Sequence, residues 1–148
     1  MKESDGRNLH AEAAKAREQD DTLASLGFND QALFAYDRDH DAAGFAERIA
    51  CRSITLRVYA NLHESENILT LAKYEMMGSV AIARKTGDKT SLAMPLYNLA
   101  QLEEDLGEYP QAVTTYQEAV TNMEVNPPAL HDRPSVLANI RVHMTTCE

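Results

Sequence analysis

Residues 98–112 read NLAQLEEDLGEYPQA, an amphipathic helical pattern punctuated by Gly107 and, three residues later, Pro110. The stretch is either one interrupted helix or a turn between two helices. Glycine takes the left-handed conformation that ends a helix at no steric cost. Proline is tolerated in the first turn of the next helix, where its missing N–H has no partner to lose. A turn used once says little; a turn that recurs at a fixed interval defines an architecture.

Counting outward from this stretch, Ala112, Ala72 and Ala32 stand forty residues apart. Four residues after each comes a bulky side chain: Tyr116, Met76 and Tyr36. Five residues before each comes Gly107, Asn67 or Gly27, types that tolerate a left-handed turn. Leu96, Leu99 and Ala100 likewise follow Leu56, Tyr59 and Ala60 by forty. Several matches in one register predict a repeated helix–turn–helix unit.

In the third unit the first helix is expected from about Thr90 to Leu106, with Leu96, Leu99, Ala100 and Leu102 inward. The second carries Ala112, Val113, Tyr116, Ala119 and Val120 at spacings of three and four, an apolar stripe on a 3.6-residue period. Alanines at 100, 112 and 119 let two antiparallel helices approach closely, and Tyr116 fills the space beyond them.

These residues resemble the tetratricopeptide repeat in a forty-residue variant. Leu96, Leu99, Ala100, Gly107, Tyr109, Ala112, Tyr116 and Ala119 match its pattern position for position. Glu103 stands where the family has an aromatic, and the closing proline is displaced to Pro127 and Pro128. Ala83 to Asp88 looks like the linker of the longer variants. The resemblance implies an all-α solenoid of about three helix-turn-helix repeats, over 8–40, 45–88 and 90–125, forming one domain with a C-terminal capping helix over 133–147. Asp132 is the expected cap of that helix, and Leu137, Ile140 and Met144 its apolar stripe. The first unit departs most: Gln19, Asp20 and Asp21 fall where the family wants Leu and a small residue, so its first helix slips register or serves as a polar end cap.

Composition agrees with an all-α chain and narrows the function. Of 148 residues, 44% are hydrophobic, enough for a core, and no run is long enough to span a bilayer. No secretory signal opens the sequence, so a cytoplasmic location is expected. Two cysteines, Cys51 and Cys147, without CxxC spacing exclude a disulfide scaffold and a cysteine zinc site. A net charge of −9 without a Lys/Arg block argues against nucleic acid and anionic membrane as partners.

Catalytic constellations are thin. His40-Asp41 and His131-Asp132 are open to a metal-dependent regulatory hydrolase, but both sit near expected helix ends, where capping is the simpler role. Asp37, Asp39 and Asp41 have the odd spacing of a calcium loop, yet Ala42 and Arg48 replace its required Gly and Glu. Cys51, Met76, Met77 and Met94 are read as core filler. No catalysis, metal or cofactor is expected.

What remains is surface. The resemblance implies that the first helices of successive units line a concave groove, and the register places Arg17, Arg57, Asn61, Tyr97, Asn98, Gln101 and Asn139 there. Asn98 falls on the position whose Asn holds an extended peptide backbone in peptide-binding members. Arg57 can grip a carboxylate with two parallel hydrogen bonds. The further lysines of the family's carboxylate-clamp members have no counterpart here. The expected function is therefore protein–protein interaction, a groove holding a peptide or helix of another protein. Self-association into a homodimer through an uncovered end of the array is the alternative.

Overall fold

The computed structural model describes residues 3–86, 92–125 and 133–147. These form seven helices: α1 (Glu3–Glu18), α2 (Thr22–Arg38), α3 (Ala42–Leu62), α4 (Glu66–Thr86), α5 (Ala93–Asp105), α6 (Tyr109–Val125) and α7 (Arg133–Cys147). No strand occurs among the described residues. Each helix packs on its neighbour in sequence, α1 on α2, α3 on α4, α5 on α6, and α7 on α6. The fold is all-α and repeat-like. Gly87, Asp88, Thr90, Pro127, Pro128, His131 and Asp132, which figured in the sequence reading, lie outside the described residues.

The helices turn through one corner, used four times. A residue in the left-handed region ends each helix: Asp20 (φ 59°), His40 (φ 55°), Glu64 (φ 52°) and Gly107 (φ 78°). The amide of the following residue then reaches back five positions, Asp21 to Ala16, Asp41 to Tyr36, Ser65 to Ala60 and Glu108 to Glu103, each at 2.9 Å. This bond satisfies a carbonyl that the helix end would leave orphaned. In three corners the same following residue caps the next helix. Asp21 Oδ1 accepts from the Ala24 amide (3.1 Å), Asp41 Oδ1 from Gly44 (2.9 Å) and Ser65 Oγ from Ile68 (3.3 Å). His40 and Asp41 thus have helix-ending and capping roles.

The corners correct the forty-residue register. Gly27 lies inside α2 and Asn67 in the first turn of α4; neither turns the chain. The left-handed residues sit at 20, 64 and 107, so equivalent corners are 44 and 43 residues apart. Gln19, Asp20 and Asp21 depart from the expected pattern because they are themselves a corner. The shorter period looked convincing because three or four residues make one helical turn and return to the same helix face. Ala32, Ala72 and Ala112 are accordingly all fully buried, as are Tyr36, Met76 and Tyr116 to within 1%.

Two apolar clusters make the core. One gathers Leu96, Ala100, Ala112, Tyr116, Ala119, Met123, Leu137 and Ile140 from α5, α6 and α7. The other joins Leu56 and Ala60 of α3 to Leu69, Ala72 and Met76 of α4 and Leu102 of α5, with half-buried Leu99 touching both. The expected packing residue Tyr109 is 48% exposed instead, because it opens α6 at a corner rather than inside a helix pair. Met77 is also largely exposed, and Cys51 half-buried.

The interior between α1, α2 and α3 differs. Its helices meet through small residues, Ala13, Ala16, Ala32 and Ala35, and Tyr36 fills the gap left by two glycines. A Cβ built on Gly44 would fall 2.4 Å from Tyr36 Cδ1, and one on Gly6 2.8 Å from Tyr36 Cζ. Both glycines are there for the ring. Polar groups are buried alongside: Ser25 and Thr55 share a hydrogen bond (3.0 Å), but Asn29 has no partner for either side-chain polar atom among the described residues.

Candidate functional site

Helices α1 and α3 touch, as do α3 and α5, while no two even-numbered helices approach each other to the same extent. Helices α1, α3 and α5 therefore form the closer-set row of the array. Seven residues were singled out from the sequence for this row. Five of them are joined by hydrogen bonds.

The chain of bonds starts on α3. Arg57 donates through Nε to Asp105 Oδ2 (2.6 Å) and through Nη2 to Asp105 Oδ1 (3.3 Å), the two-pronged geometry of a guanidinium on a carboxylate. Asn61 adds a donor to the same Oδ2 (3.1 Å). Arg57 Nη1 also donates to Gln101 Oε1 (3.3 Å), whose amide in turn donates to the Tyr97 hydroxyl (3.0 Å). Asn139 of α7 donates to that hydroxyl from the other side. Three odd helices are thereby stitched by Asn61, Asp105, Arg57, Gln101, Tyr97 and Asn139 in unbroken sequence.

Arg57 is not free to grip a partner's carboxylate, because its two prongs are occupied by Asp105. Arg17 lies in the last turn of α1, three residues before the corner, and its side chain makes no hydrogen bond or ion pair to a described residue. In the corner-based register its forty-residue equivalence to Arg57 slips by one helical turn. Asn98 is half-buried on α5, one turn ahead of Gln101, and makes no side-chain hydrogen bond to a described residue. Its amide retains both donor and acceptor capacity.

A second bonded group lies behind Tyr97 and was not anticipated. Tyr116 donates to Glu104 Oε2 (2.7 Å), and His143 Nδ1 lies 2.9 Å from the same oxygen. The His143 ring stacks on Tyr116 with centroids 5.8 Å apart. Burial pushes the Tyr116 phenol well above its ordinary value, and the Glu104 carboxylate that accepts its proton pushes further. Cys147 shares this environment; burial, then Glu104, raises its thiol, so it stays protonated and poorly nucleophilic. The group fastens α7 to α5 and α6. No sequence signal could have found it, since its partners are brought together only by helix packing.

At the α1–α3 end, Arg48 is fully buried. Its Nη2 lies 3.1 Å from Glu47 Oε1 and 3.5 Å from His10 Nε2. Burial, then the Arg48 charge, lowers the His10 pKa, which keeps the imidazole neutral and able to accept at Nε2. Arg48 Nε and Nη1 have no partner among the described residues.

Among the described residues no group of three or more His, Cys, Asp or Glu is placed to hold a metal ion. Among the same residues no helix is long and apolar enough to cross a membrane. Comparison with protein-family models gives no match, and neither does comparison with curated proteins.

Proposed function

We propose that this chain is a tetratricopeptide-like interaction module that holds an extended peptide or helix of another protein along its odd-helix face. The observation that carries the reading is the hydrogen-bonded row from Asn61 to Asn139, which fixes its polar side chains before any partner arrives. Side chains already held in place lose little entropy on binding, so more of the contact energy appears as affinity. Half-buried Asn98, with its amide unengaged, would supply a donor and an acceptor to a peptide backbone.

Arg57 and Asp105 would contribute as a neutral pair that shapes the row, in place of the carboxylate grip its sequence suggested. The test uses Asn98→Arg, which places a bulky cation in the middle of the row. Proteins co-purifying with the wild-type chain are identified, and one is titrated against both forms. Loss of at least ~10-fold in affinity, with an unchanged melting temperature, supports the row as the binding face. Equal affinity for the two forms removes it.

A further inference from the structure

Where the α3–α4 corner meets the α5–α6 corner, the end of the odd-helix row opens into a cleft of about 460 Å³. Its lining is mixed: half-buried Leu106 offers apolar surface near Asn61 and Ser65, while Ala60 and Leu69 are buried and close its floor. The exposed ring of Tyr109 stands at one side. The remaining wall carries Glu64, Glu66 and Asp105. No Lys or Arg lines it.

Of the cations on the adjoining helices, Arg57 is engaged with Asp105 (2.6 Å) and Lys73 with Glu108 (2.6 Å). Asp105 is thus neutralised, while Glu64 and Glu66 have no ion-pair partner among the described residues. Apolar surface at Leu106, an aromatic edge at Tyr109 and two carboxylates without an ion-pair partner among the described residues are complementary to one type of group. It is a long aliphatic stem ending in a cation.

We infer that the cleft receives one lysine or arginine side chain of the partner segment, an inference that rests on the odd-helix face being the binding surface. The stem lies along Leu106, as such stems do when the charged end stays near water. The ammonium or guanidinium meets Glu64 and Glu66 and the face of Tyr109, where a cation is attracted by the ring quadrupole. An acidic side chain would be repelled at the same mouth, and a purely apolar one would strip water from two carboxylates without compensating them. The cleft thereby sets the polarity of the partner: a basic residue at the end of the segment nearest the corners.

The probes are Nα-acetyl-lysinamide and its uncharged counterpart Nα-acetyl-norleucinamide, titrated into the full chain and followed by amide proton–nitrogen NMR. The lysine probe should shift the amides of Glu64, Ser65, Leu106 and Gly107 saturably, and bind at least about fivefold more tightly than the norleucine probe. Glu64→Gln with Glu66→Gln should abolish that preference and leave the melting temperature within a degree or so, both groups being exposed. Absence of shifts at these amides, equal binding of the two probes, or an undiminished preference in the double variant would each overturn the inference. Partner titration with Asn98→Arg reports on the face independently, so loss of the cleft and loss of the face are read from different experiments.

Discussion

Glu103 occupies the position where the repeat pattern has an aromatic ring, and it is 2% exposed. Burial raises its pKa; a hydrogen bond with Thr115 and the Lys73 ammonium pull it partly back. One carboxylate oxygen has no hydrogen-bond partner among the described residues. A carboxyl whose folded pKa lies above its ordinary 4.5 takes up a proton on folding. Its contribution is most favourable at pH values below that ordinary value and is lost as the pH rises through the folded value. Glu103→Gln, neutral throughout, should therefore be the more stable protein at neutral pH by about 1 kcal/mol. The difference should shrink towards zero in melts run below the ordinary carboxylate range. A variant less stable than wild type at neutral pH would mean that the Lys73 attraction outweighs desolvation. At this scale the sequence was partly legible. Arg57, Asn61, Tyr97, Gln101 and Asn139 could be placed on one face from the family resemblance and the register, but Asp105 could not be found as their hub. Its pairing with Arg57 depends on the offset between α3 and α5, which no residue pattern within either helix encodes.

The helices themselves were readable because their apolar spacing is regular, and the corners were not, for a physical reason. Only one of the four left-handed residues is glycine; the others are Asp20, His40 and Glu64. A left-handed conformation costs a residue with a Cβ roughly 1–2 kcal/mol, so glycine is the type that marks such a corner in a sequence, and Gly27 inside α2 mimics one. Here the reaching-back amide and the capping side chain hold the corner despite that cost. His40→Gly should accordingly raise stability by about 0.5–1 kcal/mol, because relief of the backbone strain exceeds the added freedom of the unfolded chain. Gly107→Ala should lower it by a similar amount. Thermal melts of the two variants check both; equal shifts of the same sign would show that the corners are set by packing instead.

Across the whole molecule the interior is unequal. The α5–α6–α7 end is filled mainly by apolar side chains, with single unpartnered oxygens on Glu103 and Asn122 among the described residues, whereas the α1–α2–α3 end contains alanines, a tyrosine wedge and five unpartnered atoms of Asn29, Arg48 and Tyr36. In a linear array each unit is stabilised mainly by its neighbours, so an end with a weak interior opens by itself. Amides of α1 and α2 should exchange with solvent at least about tenfold faster than those of α5 and α6. Equal protection along the chain would show that the array opens as one unit.

The occupied grip of Arg57 has a kinetic consequence for the proposed binding. Because Asp105 already cancels its charge, the middle of the odd-helix row exerts almost no long-range pull on an approaching segment. What steers a basic partner is the net charge of −9 spread over the chain, a pull that salt screens. Raising ionic strength should then slow the encounter while leaving the lifetime of the complex, set by short-range hydrogen bonds and apolar contact, nearly unchanged.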